Sequence, residues 1–370
     1  MSERSAAALI GEQETPAAKG RFSFRLEIDP ARKESPWWMT IVSVVLALLL
    51  CAVFIAANGK NPVEVYGKML RGAFGSEFGI TETLVKAIPL LLCGLGVSIA
   101  YRISVWNIGA EGQFVAGAIA ATAVTIYFPG LPFYASIPLM IVFAIAAGGI
   151  WGALTAIPKT YFQVNELITS LMLNYVALLA LDYVVFDPWR DPEGFNFPGT
   201  PMFTEAQTLP VLGDTRLHFG LVIALAAVAL YAFMIRYTRW GYELRLIGAN
   251  PEAAKHAGIN LKRNILIVMI VSGALAGIAG MSEVSGVAHR LMYGISPGYG
   301  YTAIIVAWIA KLHPLGLVAA SVLFGGLIVG GYSVQTLGLP SSISTMLQGA
   351  ILFFLIAGNM AAKFRLRRNG

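Results

Sequence analysis

The sequence predicts an all-α polytopic membrane protein of about ten transmembrane helices, and three observations carry that expectation. Of the 370 residues, 57% are hydrophobic and only 12% charged, too little polar side chain to cover a soluble domain of this length. Apolar runs of bilayer length recur along the chain. The basic residues collect in three clusters at the flanks of those runs. The net charge of +6 is thereby a topology signal, and it does not suggest nucleic acid as a partner.

The first 36 residues are polar and mixed in charge, and the first apolar run opens at Trp37. That start is too late for an ordinary cleaved signal peptide, so 1–36 reads as a cytoplasmic N-terminal tail before a retained first helix. Spans are expected at 37–57, 82–101, 106–128, 134–157, 166–186, 218–235, 264–284, 315–334 and 341–361, with a shorter apolar piece at 299–311. Parity decides its status. The basic clusters lie in the tail (Arg4, Lys19, Arg21, Arg25, Arg32, Lys33), in the loop 236–263 (Arg236, Arg239, Arg245, Lys255, Lys262, Arg263) and at 362–370 (Lys363, Arg365, Arg367, Arg368). All three should be cytoplasmic. Termini on one side require an even number of crossings, so nine fails and ten fits. Ten also leaves the loop 187–217 outside, where Asp187, Asp191, Glu193, Glu205 and Asp214 outweigh Arg190 and Arg216. The transmembrane domain then runs 37–361.

Small residues four apart, Gly148 with Gly152, Gly273 with Gly277 and Gly326 with Gly330, let helix backbones approach closely in a membrane. Any one pair is ordinary membrane-helix composition; together they favour a tight bundle. Cys51 and Cys93 fall in apolar stretches and read as small core residues.

Several chemistries are missing from the sequence. It has no G-x-x-x-x-G-K-[ST] loop, so ATP hydrolysis would have to come from another chain. His218, His256, His289 and His313 form no metal-ligand pair at helical spacing, and no G-x-S-x-G elbow occurs. No metal or cofactor is expected.

The stretch "SVWNIGAEGQFVAGAIAA" (104–121) breaks the apolar rule. Asn107, Glu111 and Gln113 stand within two turns of one another, with Gly109 and Gly112 between them. An ionisable group at membrane depth faces a cavity or the bundle interior, and a broken helix is tolerated only there. A discontinuous helix near 104–113 bordering a path is one reading. The other puts Glu111 near the cytoplasmic boundary, partnered by Arg102. In the fifth span Asn165 is a helix cap, whereas the deeper Asn174 needs a partner across helices. Glu283 and His289, near the outer end of the seventh span, read as interfacial, with a gate pair as the alternative.

The loop segment "GYELRLIGANPEAAKHAGINLKR" (241–263) predicts a short cytoplasmic helix of about two turns. Asn250 is its N-cap, Pro251 suits the first position, Glu252 complements the positive end, and Gly258 stops it in a left-handed conformation. Ala253, Ala254 and Ala257 give it an alanine face able to enter a groove on another protein. A plain connector between two spans is the other reading.

"GANPEAAKHAGI" resembles the coupling-helix segment of permease subunits of ABC importers. "NIGAEGQ" (107–113), "NELITSLMLNYVA" (165–177), "SGALAGIAG" (272–280) and "SPGYGYTAI" followed by "LHPLG" (296–316) occur in order and resemble the nucleoside and simple-sugar permeases, relatives of the ribose and branched-chain amino-acid permeases. The likeness covers about residues 60–361. In "IIVAWIAKLHPLG", Trp308 and Lys311 depart from the smaller residue and arginine of relatives. The resemblance implies a permease with a second, homologous permease subunit, two ATPase domains and an extracytoplasmic substrate-binding protein as partners. It implies Asn107, Glu111, Gln113 and Asn174 along the path of a small-molecule substrate, and Gly248, Asn250, Pro251, Ala253, Ala254, Ala257 and Gly258 as the ATPase-coupling segment. A nucleoside is the expected cargo, with a pentose-like sugar or riboflavin as alternatives. A proton-coupled secondary transporter using Glu111 belongs to another class, and it would have no need of the cytoplasmic helix. The inner membrane is the expected location.

Overall fold

The computed structural model describes residues 24–28, 37–195, 197–361 and 364–368. It divides into two compact units. The first takes in residues up to 46 and from 353 onward. Here strands β1 (Phe24–Ile28) and β2 (Phe364–Arg368) pair antiparallel, Phe24 opposite Arg368 and Ile28 opposite Phe364. The ribbon amends the all-α expectation and gives the two tails a shared structure. Its signal is the period-two alternation Phe24, Leu26, Ile28 and Phe364, Leu366, which is short and set among charges. The same unit holds the first half of α1 (Trp37–Ala57) and the end of α13 (Ser342–Ala361).

The second unit, 47–352, is helical. After α1 comes α2 (Pro62–Phe74), a helix not expected from hydropathy, capped by Asn61 through Val63 N and burying Val65, Met69 and Ala73 on one face. Then follow α3 (Glu77–Tyr101), α4 (Ala110–Tyr127), α5 (Phe133–Phe162), α6 (Glu166–Phe186), α7 (Gly220–Tyr237), α8 (Arg239–Ala249), α9 (Pro251–His256), α10 (Leu261–Glu283), α11 (Tyr299–Ile309) and α12 (Pro314–Ser333). Among the described residues, seven helices are long and apolar enough to cross a membrane: α1, α3, α5, α6, α7, α10 and α12. α4, α11 and α13 occupy the other three expected positions.

At the centre α10 packs on α5, α4 and α3. Glycine permits the closest of these contacts. A Cβ at Gly148 or Gly152 would overlap the carbonyls of Gly273 and Met269, and one at Gly277 would overlap that of Ala144. The spaced glycines of α5 and α10 are thus the two sides of one seam. Gly326 and Gly330 do the same for α12 against α2.

Candidate functional site: a junction of two helix N-termini

α3 ends at Tyr101, and residues 102–109 run without helical structure, Ser104 taking a left-handed φ of 58°. α4 begins only at Ala110. The discontinuity therefore precedes the helix, and Glu111, Gly112 and Gln113 already lie in its first turn. Similarly, α10 gives way to a π-helical turn (284–288), and the chain returns through 289–298 before α11 starts at Tyr299. The two N-termini meet: a Cβ at Gly300 would overlap the backbone of Glu111. Their depth follows from their neighbours. Asn107 Nδ2 donates to Ser272 Oγ at 2.7 Å, and Ser272 stands midway along α10.

A helix start leaves four N–H groups without intrahelical partners, and inside a membrane each must be satisfied by protein. In α11 all four are. Ser296 Oγ accepts from Gly298 N and Tyr299 N, both at 3.1 Å. The Glu111 carboxylate accepts from Gly300 N at 2.7 Å and also bonds the Tyr301 N–H and the Ser296 hydroxyl. In α4, Gly112 N donates to Asn174 Oδ1 at 2.8 Å. Asn174 Nδ2 donates to Ile108 O at 3.0 Å and to Tyr301 Oη at 3.1 Å. Asn107 and Gln113 exchange amide hydrogen bonds of 2.8 and 3.1 Å, tying the non-helical linker to α4.

The structure thus brings Asn107, Glu111, Gln113 and Asn174 together, at 2%, 3%, 0% and 0% exposure. Their polar atoms are engaged with backbone and with one another, which ties the two helix starts together. Arg102 is not the partner of Glu111. Its guanidinium donates to Tyr231 Oη and to Leu312 O, each at 2.8 Å, closing the inner end of α3. Trp308 packs against Tyr101 and Trp106, ring centroids 5.4 Å apart, which assigns it to helix packing.

At the end of α10, Glu283 is buried, not interfacial. Its Oε1 accepts from Lys86 Nζ at 2.9 Å and from Tyr299 Oη at 3.2 Å, binding α3, α10 and α11. The loop 187–217 is pinned to the π-helical turn by Ser285 Oγ donating to Gln207 O at 2.7 Å and Leu209 N donating to Ser285 O at 3.1 Å. His218, in the loop before α7, accepts from Gly220 N through Nδ1 at 3.1 Å. Burial, with His289 and Lys86 nearby, pushes its imidazole down to about 4.

At the opposite end of the helices, Asn165 caps α6 through Leu167 N at 2.9 Å, and Lys159 pairs with Glu166 at 2.7 Å. The loop 236–263 holds two helices, α8 and α9, where one was expected. Asn250 Oδ1 accepts from Ala253 N at 3.1 Å, Pro251 opens α9, and Gly258 takes φ 80°. The alanine face divides: Ala253 and Ala257 are exposed, whereas Ala254 is fully buried. Ala254 packs inward in this chain. Gly248 allows close approach of α8 to the end of α3, since a Cβ there would overlap Arg102 O. Among the described residues no group of three or more His, Cys, Asp and Glu is arranged to hold a metal ion.

Comparison with known proteins gives this geometry a context. The glucose ABC transporter permease protein TsgB13 of Haloferax volcanii is 35% identical over 357 residues, 92% of this chain and 93% of its own. The guanosine ABC transporter permease protein NupP of Bacillus subtilis is 33% identical, with 89% and 96% covered. The nucleoside ABC transporter permease protein NupB of Lactococcus lactis subsp. cremoris is 29% identical, with 85% and 89% covered. The family described as branched-chain amino acid transport system / permease component matches residues 79–356, and the chain belongs to that family.

Proposed function

We propose that this chain is one permease subunit of an ATP-binding-cassette importer and forms, with a second homologous permease, the path for a nucleoside across the inner membrane. The observation that carries the reading is near-full-length similarity to permeases named for guanosine and nucleosides. ATP hydrolysis falls to two ATPase domains on other chains, and cargo arrives from an extracytoplasmic binding protein. The domain plan follows: cytoplasmic tails at 1–36 and 362–370, and a transmembrane permease domain at 37–361 with its outer loop at 187–217. The loop 236–263 is the coupling segment, with α9 offering Ala253 and Ala257 to the ATPase from a rigid, capped helix. Asn107, Glu111, Gln113 and Asn174 border the path indirectly, by fixing the two helix starts beside it.

A sugar is the second reading, favoured by the 35% identity to a permease named for glucose. The test is reconstitution in proteoliposomes with the two ATPase domains, the second permease and the binding protein. Saturable, ATP-dependent guanosine uptake that glucose does not inhibit is expected, with no ATP hydrolysis by this chain alone. Uptake of glucose and not guanosine establishes the sugar reading. Transport by the isolated chain under a proton gradient overturns the importer.

A further inference from the structure

The four polar residues at the helix junction are buried, and two exposed tyrosines stand beside them. Tyr301 is the third residue of α11, directly at the junction, and it is 36% exposed. Tyr175 follows Asn174 in α6 and is 55% exposed. The 3.1 Å bond from Asn174 Nδ2 to Tyr301 Oη sets the second ring beside the α6 position that carries the first.

Their depth is the unusual feature. Tyr175 is the tenth of the 21 residues of α6, so it lies near the middle of a span. Tyrosine ordinarily sits at the two membrane–water interfaces, where the hydroxyl finds a partner. Hydrocarbon at mid-depth has none to offer, and a bare hydroxyl there carries a desolvation cost. Tyr175 Oη makes no hydrogen bond among the described residues. Tyr301 Oη accepts from Asn174, which leaves its own proton to donate outward. Two free phenol donors on accessible rings, beside two discontinuous helices, suit a surface that meets polar solute and water rather than lipid tails. Transporters place solute sites at midplane, against discontinuous helices.

We propose that Tyr175 and Tyr301 form the cargo-facing surface of this permease at mid-depth, and that their rings receive the flat face of a nucleobase while their hydroxyls meet its polar edge. Aromatic rings tolerate any base, because every base has a π-face. The base as occupant rests on the nucleoside reading above; the accessibility of the surface does not.

The test separates the two. Cys51 and Cys93 are both buried, so single cysteines are introduced in a chain carrying Cys51→Ser and Cys93→Ser. Tyr175→Cys and Tyr301→Cys are compared with Leu230→Cys, a mid-span position on the apolar exposed face of α7. The assembled transporter in vesicles is treated with a charged, water-soluble methanethiosulfonate reagent. Modification at position 175 at least tenfold faster than at 230, slowed by guanosine and not by glucose, is expected. A position 175 as inert as 230 overturns the surface. Fast modification slowed by glucose alone overturns the nucleobase and the nucleoside reading together. Fast modification slowed by neither overturns contact with cargo. Uptake kinetics add a readout that packing alone does not move. Tyr301→Phe keeps the ring but loses the hydroxyl that meets the polar edge, so it should raise the half-saturation concentration less than Tyr175→Leu, which should raise it about tenfold with assembly intact. Equal constants for Tyr175→Leu and the parent protein overturn the stacking role.

Discussion

Glu111 shows what a single carboxylate can do inside a membrane bundle. Its carboxyl group is held by N–H groups at the start of α11 and by one hydroxyl. That arrangement gives it a structural role with no need of a titration cycle. Glu111→Gln keeps an acceptor for Gly300 N but replaces the second oxygen with an N–H donor, a loss on the order of 1 kcal/mol for the bond it weakens. The variant should assemble and transport at a reduced rate. Glu111→Leu leaves several buried donors unpaired at about 1–3 kcal/mol each, so loss of the folded complex in detergent extracts is expected. A Glu111→Gln protein that assembles normally and is wholly inactive would instead mark a proton carrier. His218 gives a second expectation, in pH. Its folded-state pKa of about 4 lies below the ordinary 6.5, so the unfolded form binds the proton more readily in that interval. Stability is full above about 6.5 and declines as pH falls toward 4, when a protonated Nδ1 can no longer accept from Gly220 N. Thermal melts between pH 7 and 5 should show this decline, and His218→Gln should flatten it. The polar cluster around Glu111 was legible in the sequence because charge is rare there. Its purpose was not, since the acceptor and its donor Gly300 are 189 residues apart.

The helices differ in how openly the sequence declares them. α1 and α6 occupy the residues that hydropathy marks, 37–57 and 166–186, because both runs are predominantly apolar over the length of a span. α4 starts four residues late, since the conformation of the linker ahead of it is fixed by partners from outside the segment, Ser272 for Asn107 and Asn174 for Ile108 O. α2 and α8 escaped because each is amphipathic and lies outside a span, though Asn61–Pro62 and Thr238 are good cap signals. The glycine spacing was the most informative feature at this scale. It marked the α5–α10 seam without knowing which helices would meet. Because a Cβ at Gly277 would overlap the Ala144 carbonyl, Gly277→Leu should cost more than the roughly 1–3 kcal/mol of ordinary overpacking. Gly67→Ala in α2, where a Cβ meets nothing within 4 Å, should be neutral or slightly stabilising. Thermal midpoints of the purified complex compare the two. A Gly277→Leu midpoint equal to that of Gly67→Ala would mean that the seam can open without cost.

For the whole chain, topology is the quantity that local structure must satisfy. Seven helices meet the length and hydropathy of a span, and an odd number would put the two ends of the chain on opposite faces of the membrane. β1 and β2 pair in register along five residues each, and strands so joined must lie on the same side. The conflict resolves if α4, α11 and α13 complete the crossings. α4 falls short on hydropathy because its first turn carries Glu111 and Gln113, and α11 is a helix of only 11 residues that follows the non-helical segment 289–298. That count of ten crossings, which we propose, would put the basic loop 236–263 and the acidic loop 187–217 on opposite faces. Epitopes placed at the N-terminus, at the C-terminus and between Gly258 and Asn260 should be reached by antibody only in inside-out vesicles. One placed at Gly213, where the loop turns with φ 71° and a side chain meets open space, should be reached only in right-side-out vesicles. Termini reached from opposite faces would show that one of the three short helices turns back instead of crossing. α11, with 11 residues, is the one whose length falls furthest below a span.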